Sequence, residues 1–523
     1  MANKPTNHKG KVVLDGNTLS LKQVVAVARD INVKAEISRE AKEKMAASRN
    51  LVERWISKNE KAIYGINTGF GAFQDVRISP AKIKQLQFNL IVSHAAGVGD
   101  LLPAEVVRAM MLLRANTLAK GYSGVRIEVV EVLLKMLDNQ ICPLIPSKGS
   151  VGCSGDLAPL AHMTLVIMGR GRAYYKDNKR SVSGSVALRR SGINPISLSA
   201  KEGLALTNGS QLMTAIGVLA LEDAENLTKA ADIAGAMSLE ALKGKSSPFL
   251  NKIQKLRHFR GQIKSAGNIR ELIRKSDLID CKDEDTKNEV QDPYSLRCIP
   301  QVHGASREAF TFVRNILETE INSATDNPLI FTEPPESHSA GNFHGQPVAL
   351  AMDFLALAVS ELGSISERRT ACLIDKRRNR GLKPFLIEDG GLNSGMMLAQ
   401  YTAAALASEN KTLIHPASGD SIPTSANQED HNSMGSIAAR HAREVVRNVE
   451  YILAIELLCA AQALEFREGH VGEGTTAAYR LIRSKVPALK RDRELSLDIE
   501  QVFEMLHNGS LVNTVEKVIG RLE

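Results

Sequence analysis

The sequence predicts a mainly α-helical protein: a core of long bundled helices, preceded by a mixed N-terminal region that carries glycine-rich loops. Aromatic residues make up 4% of the chain against 43% hydrophobic residues, and the abundance of Ala, Leu, Met and Glu favours packed helices over β-sandwiches. The stretch from Ser436 to Glu468 contains neither glycine nor proline. At about 1.5 Å per residue, such a run forms a helix on the order of 50 Å long. Between Gln346 and Asp375 apolar residues recur on nearly every face, with Gly363 the one interior interruption after Pro347. A helix apolar all round cannot be solvated, so it must lie inside a bundle or at a subunit interface.

Taken in order, residues 1–200 alternate short helical patterns with loops rich in glycine, and residues 201–523 hold the longer helices and a C-terminal region. No low-complexity linker or internal repeat separates the two. A chain of 523 residues can bury a large core. Its formal charge of +8 suits attraction of anions, but the basic clusters at 252–275 and 480–493 lack interleaved aromatics and read as solvated helix faces, so no nucleic-acid partner is expected. Six cysteines at 142, 153, 281, 298, 372 and 459 show no C-x-x-C spacing, which argues against a zinc framework or a disulfide scaffold and favours a reducing cytoplasm. The N-terminus has no apolar core of a signal peptide, and no stretch reads as a clean bilayer span, so no membrane association is expected.

The most informative segment is Gly149 to His162, GSVGCSGDLAPLAH. Its small residues permit a backbone reaction. Attack of the Gly155 amide nitrogen on the Cys153 carbonyl, with loss of water, closes a five-membered imidazolone, and dehydration of Ser154 then leaves an exocyclic methylene. The product is an electrophile built into the chain. Glycine suits position 155 because a residue without Cβ reaches the compressed geometry required, and Ser154 supplies the hydroxyl that leaves. Glycine and serine clusters also mark turns and helix N-terminal anion sites, but the spacing here is not G-x-G-x-x-G. Gly244-Lys245-Ser246 imitates the end of a P-loop with Leu239 where the first glycine belongs.

Seven segments, in order along most of the chain, resemble those of the aromatic amino-acid lyases, and in particular their histidine-specific branch. They are YGINTGFG (64–71), NLIVSHAAGVG (89–99), the segment 149–162, TNGSQ (207–211), QDPYSLRCIPQVHG (291–304), the stretch 325–347 from TDNPLI to GNFHGQP, and PTSANQEDHNSM (423–434). The resemblance implies a methylidene-imidazolone group made autocatalytically from Cys153, Ser154 and Gly155, with no external cofactor. It further implies a homotetramer whose active sites each draw on three subunits. The family usually has alanine where this chain has Cys153. That side chain would hang from the ring rather than join it, so closure should proceed, with the thiol free to crowd or react.

The same resemblance assigns the remaining site residues. Tyr64 matches the base that removes the weakly acidic β-hydrogen, a task that calls for a depressed phenol pKa or strongly coupled proton transfer. Arg297 would grip the substrate carboxylate through paired hydrogen bonds. Tyr294 and Asn208 would orient the substrate and stabilise charge on the ring, and Gln291 and Phe343 match further pocket positions. His94 and Glu429 would surround the substrate side chain. A phenyl ring there would leave both unpaired, at roughly 1–3 kcal/mol each, so the expected reaction is elimination of ammonia from L-histidine to give trans-urocanate, in histidine degradation. A histidine at position 94 also suits a phenol, so a tyrosine or phenylalanine ammonia-lyase, or a 2,3-aminomutase, remains the alternative, and beyond it an inactive helical scaffold. His162, His303, His344, His415 and His431 form no close ligand pattern, so no metal is expected. Asp326-Asn327-Pro328 reads as a turn.

Overall fold

The computed structural model describes residues 10–58, 62–176, 180–286 and 289–523. The chain forms two compact units, each built from separated stretches. The first comprises residues up to Leu219 with Arg314–Asp353 and Pro416–Arg440; the second comprises Ala220–Val313, Phe354–His415 and His441–Glu523. The units therefore do not follow a single cut near residue 200. Four of their five boundaries fall inside helices, Gln211–Ala241, Ile299–Glu320, Gln346–Ile374 and Gly435–Leu464, where no linker composition could mark them, and the fifth falls at His415/Pro416 just after the Met397–Leu413 helix. The expected long helices are present with nearly the expected limits, and the fold is mainly α. Among the described residues, the β-strands form three two-stranded sheets and one three-stranded sheet.

The Gln346–Ile374 helix corrects one expectation. By length and hydropathy it is apolar enough to cross a membrane, although 67% of its apolar window is buried within the protein. Leu350, Phe354 and Leu357 nevertheless stay exposed, and their spacing of four and three residues puts them on one stripe of that helix.

In the first unit, parallel strands Lys11–Leu14 and Lys34–Ile37 are joined through the Leu21–Arg29 helix. That helix starts at a capping box in which Ser20 and Gln23 satisfy each other's backbone N–H groups. The Ala104–Ala119 helix is buried continuously from Val106 to Ala119. From its middle the fully buried Arg114 donates to the Ala205 carbonyl at 2.8 Å, to Gln211 Oε1 at 2.9 Å and to the Thr325 carbonyl at 3.0 Å. Burial lowers this guanidinium to about 10, against the opposing pull of Asp326. Three chain segments are thereby fixed behind the cavity described below.

Lys201 and Asp326 form a second buried support, with Nζ 2.8 Å from Oδ2 and both side chains wholly inaccessible. Removing one partner strands the other charge out of water, which typically costs about 3–5 kcal/mol. Asp326→Ala should therefore lower conformational stability by that order, read as a reduced denaturant midpoint.

The second unit is organised around Asp232 in the Gln211–Ala241 helix. Its carboxylate accepts from Ser265 Oγ at 2.6 Å, Asn268 Nδ2 at 2.8 Å and Arg307 Nη2 at 2.7 Å, with His303 Nδ1 also at 2.7 Å. Burial alone would raise this carboxyl, but Arg307 and the hydrogen-bonded His303 prevail and hold it at about 2. His303 is thus a structural partner of Asp232. Arg369 and Glu456, both wholly buried, form a bidentate pair at 2.5 and 2.8 Å between the Gln346–Ile374 and Gly435–Leu464 helices.

Candidate active site

The 149–156 loop is held open by its neighbours. Ser436 Oγ donates to the Ser150 carbonyl at 2.7 Å, Ser433 Oγ to the Gly152 carbonyl at 2.9 Å, and the Met434 amide to the Val151 carbonyl at 2.8 Å. Gly155 has φ +72°, and a Cβ built there would lie 2.2 Å from the carbonyl carbon and oxygen of Gly209. No side chain fits against that backbone. The Asp156 amide donates to the Gly209 carbonyl at 2.7 Å, and Asn208 Nδ2 donates to the Ser154 carbonyl at 2.8 Å. In an imidazolone closed between Gly155 and Cys153, that Ser154 oxygen is the carbonyl the ring keeps. The loop therefore fits the expected group: position 155 is compressed and lacks a side chain, and a donor is already aimed at the surviving oxygen.

Asp156 supplies a support that the sequence did not reveal. It precedes the Leu157–Ile167 helix but does not cap it. Instead its Oδ2 accepts the Leu212 and Met213 amides at 2.9 and 3.0 Å, and its Oδ1 accepts Ser150 Oγ at 2.9 Å. An acidic group at the positive start of the Gln211–Ala241 helix is favourable, yet burial still pushes this carboxyl up to about 6. The loop is thus tied to the start of the helix that follows Asn208.

A cavity of about 810 Å³ opens over Ser154, lined by residues of the first unit alone. It gathers Tyr64, His94, Cys153, Ser154, Asn208, Phe343 and Glu429 from segments far apart in sequence, with Gly155 in the adjoining backbone. Ser154 Oγ donates to Glu429 Oε1 at 3.0 Å, and Thr424 Oγ1 donates to Glu429 Oε2 at 2.8 Å. Ser93 Oγ lies 3.1 Å from His94 Nδ1. Burial lowers the His94 pKa, while the Leu90 carbonyl and the Glu429 charge oppose it, so the imidazole is predominantly neutral at pH 7.

Tyr64 departs from expectation. Its hydroxyl oxygen accepts the Gly71 amide at 3.3 Å, and its ring meets Phe70 edge-on. Burial, with the Glu429 charge adding to it, raises the phenol pKa rather than depressing it. The Cys153 thiol is likewise pushed up to about 12, by burial first and then by Glu429, so it faces the cavity as a neutral group.

Gln291, Tyr294 and Arg297 are placed differently. They line a cavity of about 460 Å³ in the second unit, together with Asp292, Arg378 and Arg380. There the Arg297 guanidinium stacks 4.4 Å from the centre of the Tyr294 ring, its Nε is buried without a hydrogen-bond partner, and Tyr294 is exposed. Phe70 and Asn327 also line the cavity, and Thr424 supports Glu429, none of which the sequence had suggested. Thr424 and Gln428 stand inside the quoted 423–434 motif, but nothing in that motif tells which member touches Glu429. His344 and His431 stack in parallel at 5.8 Å on the same cavity, and among the described residues no group of three or more His, Cys, Asp or Glu side chains could hold a metal.

Comparison with known proteins identifies the family. Residues 19–484 match the family model described as aromatic amino acid lyase. The chain is 56% identical to histidine ammonia-lyase from Caldanaerobacter subterraneus over 508 residues, covering 97% of this chain and 98% of that protein. It superposes on the crystal structure of histidine ammonia-lyase from Trypanosoma cruzi with TM-score 0.89 and 43% identity, over 97% of this chain and 95% of the other. It is also similar to tyrosine aminomutase from Streptomyces globisporus, with TM-score 0.91 and 39% identity over 97% of this chain and 99% of that one. With the family match spanning most of its length, the chain belongs to the aromatic amino acid lyase family.

Proposed function

We infer that the chain is a carbon–nitrogen lyase that eliminates ammonia from L-histidine to give trans-urocanate, within histidine degradation. The observation that carries this reading is the placement of His94 and Glu429 in the cavity that holds Ser154. A neutral imidazole and a carboxylate together can hydrogen-bond a polar imidazole side chain, and a phenyl ring would leave both unpaired. The high identity to a protein named histidine ammonia-lyase supports the same substrate. The family uses a methylidene-imidazolone group, and here Cys153, Ser154 and Gly155 would form it from the chain itself. When mature, it supplies an electrophile for the substrate's amino nitrogen and so makes ammonia a leaving group.

The chain's own residues do the rest. Asn208 holds the surviving carbonyl oxygen through Nδ2–H. Glu429 and His94 orient the substrate side chain, Phe343 walls the pocket, and Tyr64 takes the β-proton. Because the Tyr64 phenol is held above its ordinary value, it acts as a base only where positive charge arrives beside it. Arg297, with Gln291 and Tyr294, would bring that charge together with carboxylate binding. We assign these three to the site through neighbouring copies in a homotetramer, a reading supported by the exposed Tyr294 and by the apolar stripe of Leu350, Phe354 and Leu357. Six free cysteines suit a cytoplasmic enzyme.

Purified protein assayed in parallel with histidine, tyrosine and phenylalanine, with product identification, tests the assignment. Histidine should be consumed fastest and give only the acrylate. Preferential turnover of tyrosine, or a β-amino acid product, would transfer the chain to the alternative branch. Shared sites predict complementation: Tyr64→Phe and Arg297→Ala variants, each nearly inactive alone, should regain measurable activity when refolded together, because some sites then receive both native residues. Absence of any regain in verified mixed oligomers would confine the site to one chain.

Cys153→Ala bears on the residue that departs from the family. The thiol is neutral and lies outside the atoms of the ring, so alanine should leave the extent of ring formation and the order of substrate preference unchanged, with turnover within about threefold of the parent, a limit drawn from the small cost of trimming one side-chain atom. Intact mass and histidine turnover measured on the same sample check this. Loss of dehydration in that variant would make the thiol a participant.

A further inference from the structure

Glu429 is expected to serve the substrate, yet before maturation its Oε1 is already engaged by the hydroxyl that must be lost. Ser154 Oγ lies 3.0 Å from Oε1, and Thr424 secures the same carboxyl from the other side through Oγ1 at 2.8 Å to Oε2. The backbones of Thr424 and Glu429 are also paired, Thr424 N–H donating to the Glu429 carbonyl at 2.9 Å and Glu429 N–H to the Thr424 carbonyl at 3.3 Å. Positions 424 and 429 are therefore closed into one small turn, with one carboxyl oxygen held by Thr424 and the other by Ser154, and with the Cys153 thiol beside the same carboxyl. A carboxyl held in this way is oriented for a single proton transfer.

We propose that Glu429, positioned by Thr424, is the general acid that carries away the Ser154 hydroxyl during ring maturation, before it ever meets substrate. Hydroxide is a poor leaving group, so protonation as the bond breaks is where catalysis counts. The Cα–H bond of Ser154 breaks to water and the Cα–Cβ double bond forms. The Cβ–Oγ bond breaks as Oγ, facing the protonated form of Glu429 and accepting from Oε1–H across the same 3.0 Å contact, takes that proton and departs as water. The hydronium formed at the first step reprotonates the carboxylate, so the sum is loss of one water. Ring closure between Gly155 and Cys153 loses the other. Once Oγ has gone, Oε1 is free, and the completed dehydration itself readies Glu429 for the substrate.

This inference rests on the reading that Cys153-Ser154-Gly155 closes into the ring, and the two fail differently. Full-length chain is made in a short cell-free pulse and its intact mass is followed over time, with scattering and circular dichroism confirming assembly and fold. The parent should come to lack two waters. Glu429→Gln, nearly isosteric, should reach that mass about 10²-fold more slowly, the lower end of the range for a positioned acid, and accumulate chain that lacks one water or none. Thr424→Val should slow the same step by a smaller factor, and Thr424→Ser, which keeps the hydroxyl, should restore the parent rate. Folded Glu429→Gln that loses two waters at the parent rate would overturn the role of Glu429. Thr424→Val and Thr424→Ser behaving alike would overturn that of Thr424. A parent chain that loses no water would overturn the ring itself.

Discussion

Ser154→Ala is expected to leave the protein folded and to lower histidine elimination by roughly 10³-fold or more, the scale on which covalent catalysts depend on their reactive group. Alanine has no hydroxyl to lose, so the exocyclic methylene cannot form. The surroundings lose the hydroxyl's hydrogen bond to Glu429 but keep the ties of the loop backbone, because the Ser154 carbonyl still accepts from Asn208 and the Gly155–Gly209 contact does not involve the side chain. Circular dichroism and oligomer size should match the parent. Mass should fall by at most the one water of ring closure. Parent-like turnover in this variant would remove the electrophile from the account.

Tyr64→Phe is the second large effect. It deletes one oxygen from a half-buried ring and leaves the edge-on packing with Phe70 available. Ring formation and histidine binding should persist while turnover drops by about 10²–10⁴-fold, the usual range for loss of a positioned base. The pH dependence gives the effect a signature. Burial raises the phenol, so the phenolate is scarce at neutral pH and increases as pH rises. Activity of the parent should therefore climb toward alkaline pH, and that limb should vanish in Tyr64→Phe. An unchanged alkaline limb in the variant would place the base elsewhere.

These two residues also show what was legible in the sequence. Tyr64 and Ser154 stand in motifs whose order carries the family resemblance, and the cavity brings both together with His94, Asn208, Phe343 and Glu429. The long helices were legible for a simpler reason: a run without glycine or proline, or one apolar on every face, has few other ways to fold. What could not be read depends on which distant segments meet. The Ser154–Glu429 hydrogen bond spans 275 positions, and the grip of Thr424 on the same carboxyl follows from a turn that the motif letters do not specify. Asp156 looks like a cap for the helix after it, but it serves the start of a helix more than fifty residues later. The raised Tyr64 phenol reflects burial and a neighbouring carboxylate, both properties of the assembled cavity. The division into units was hidden because at four of its five crossings the chain passes between them within helices.

The proposed activity depends above all on a chemical change at three consecutive residues, and peptide mass reports it most directly. Protein purified without substrate should be digested and the fragment containing Gly149–His162 weighed against the mass its residues require. The predicted result is a deficit of two waters confined to Cys153-Ser154-Gly155, in protein that also converts histidine to urocanate. An unmodified fragment from protein that still eliminates ammonia from histidine would contradict the account.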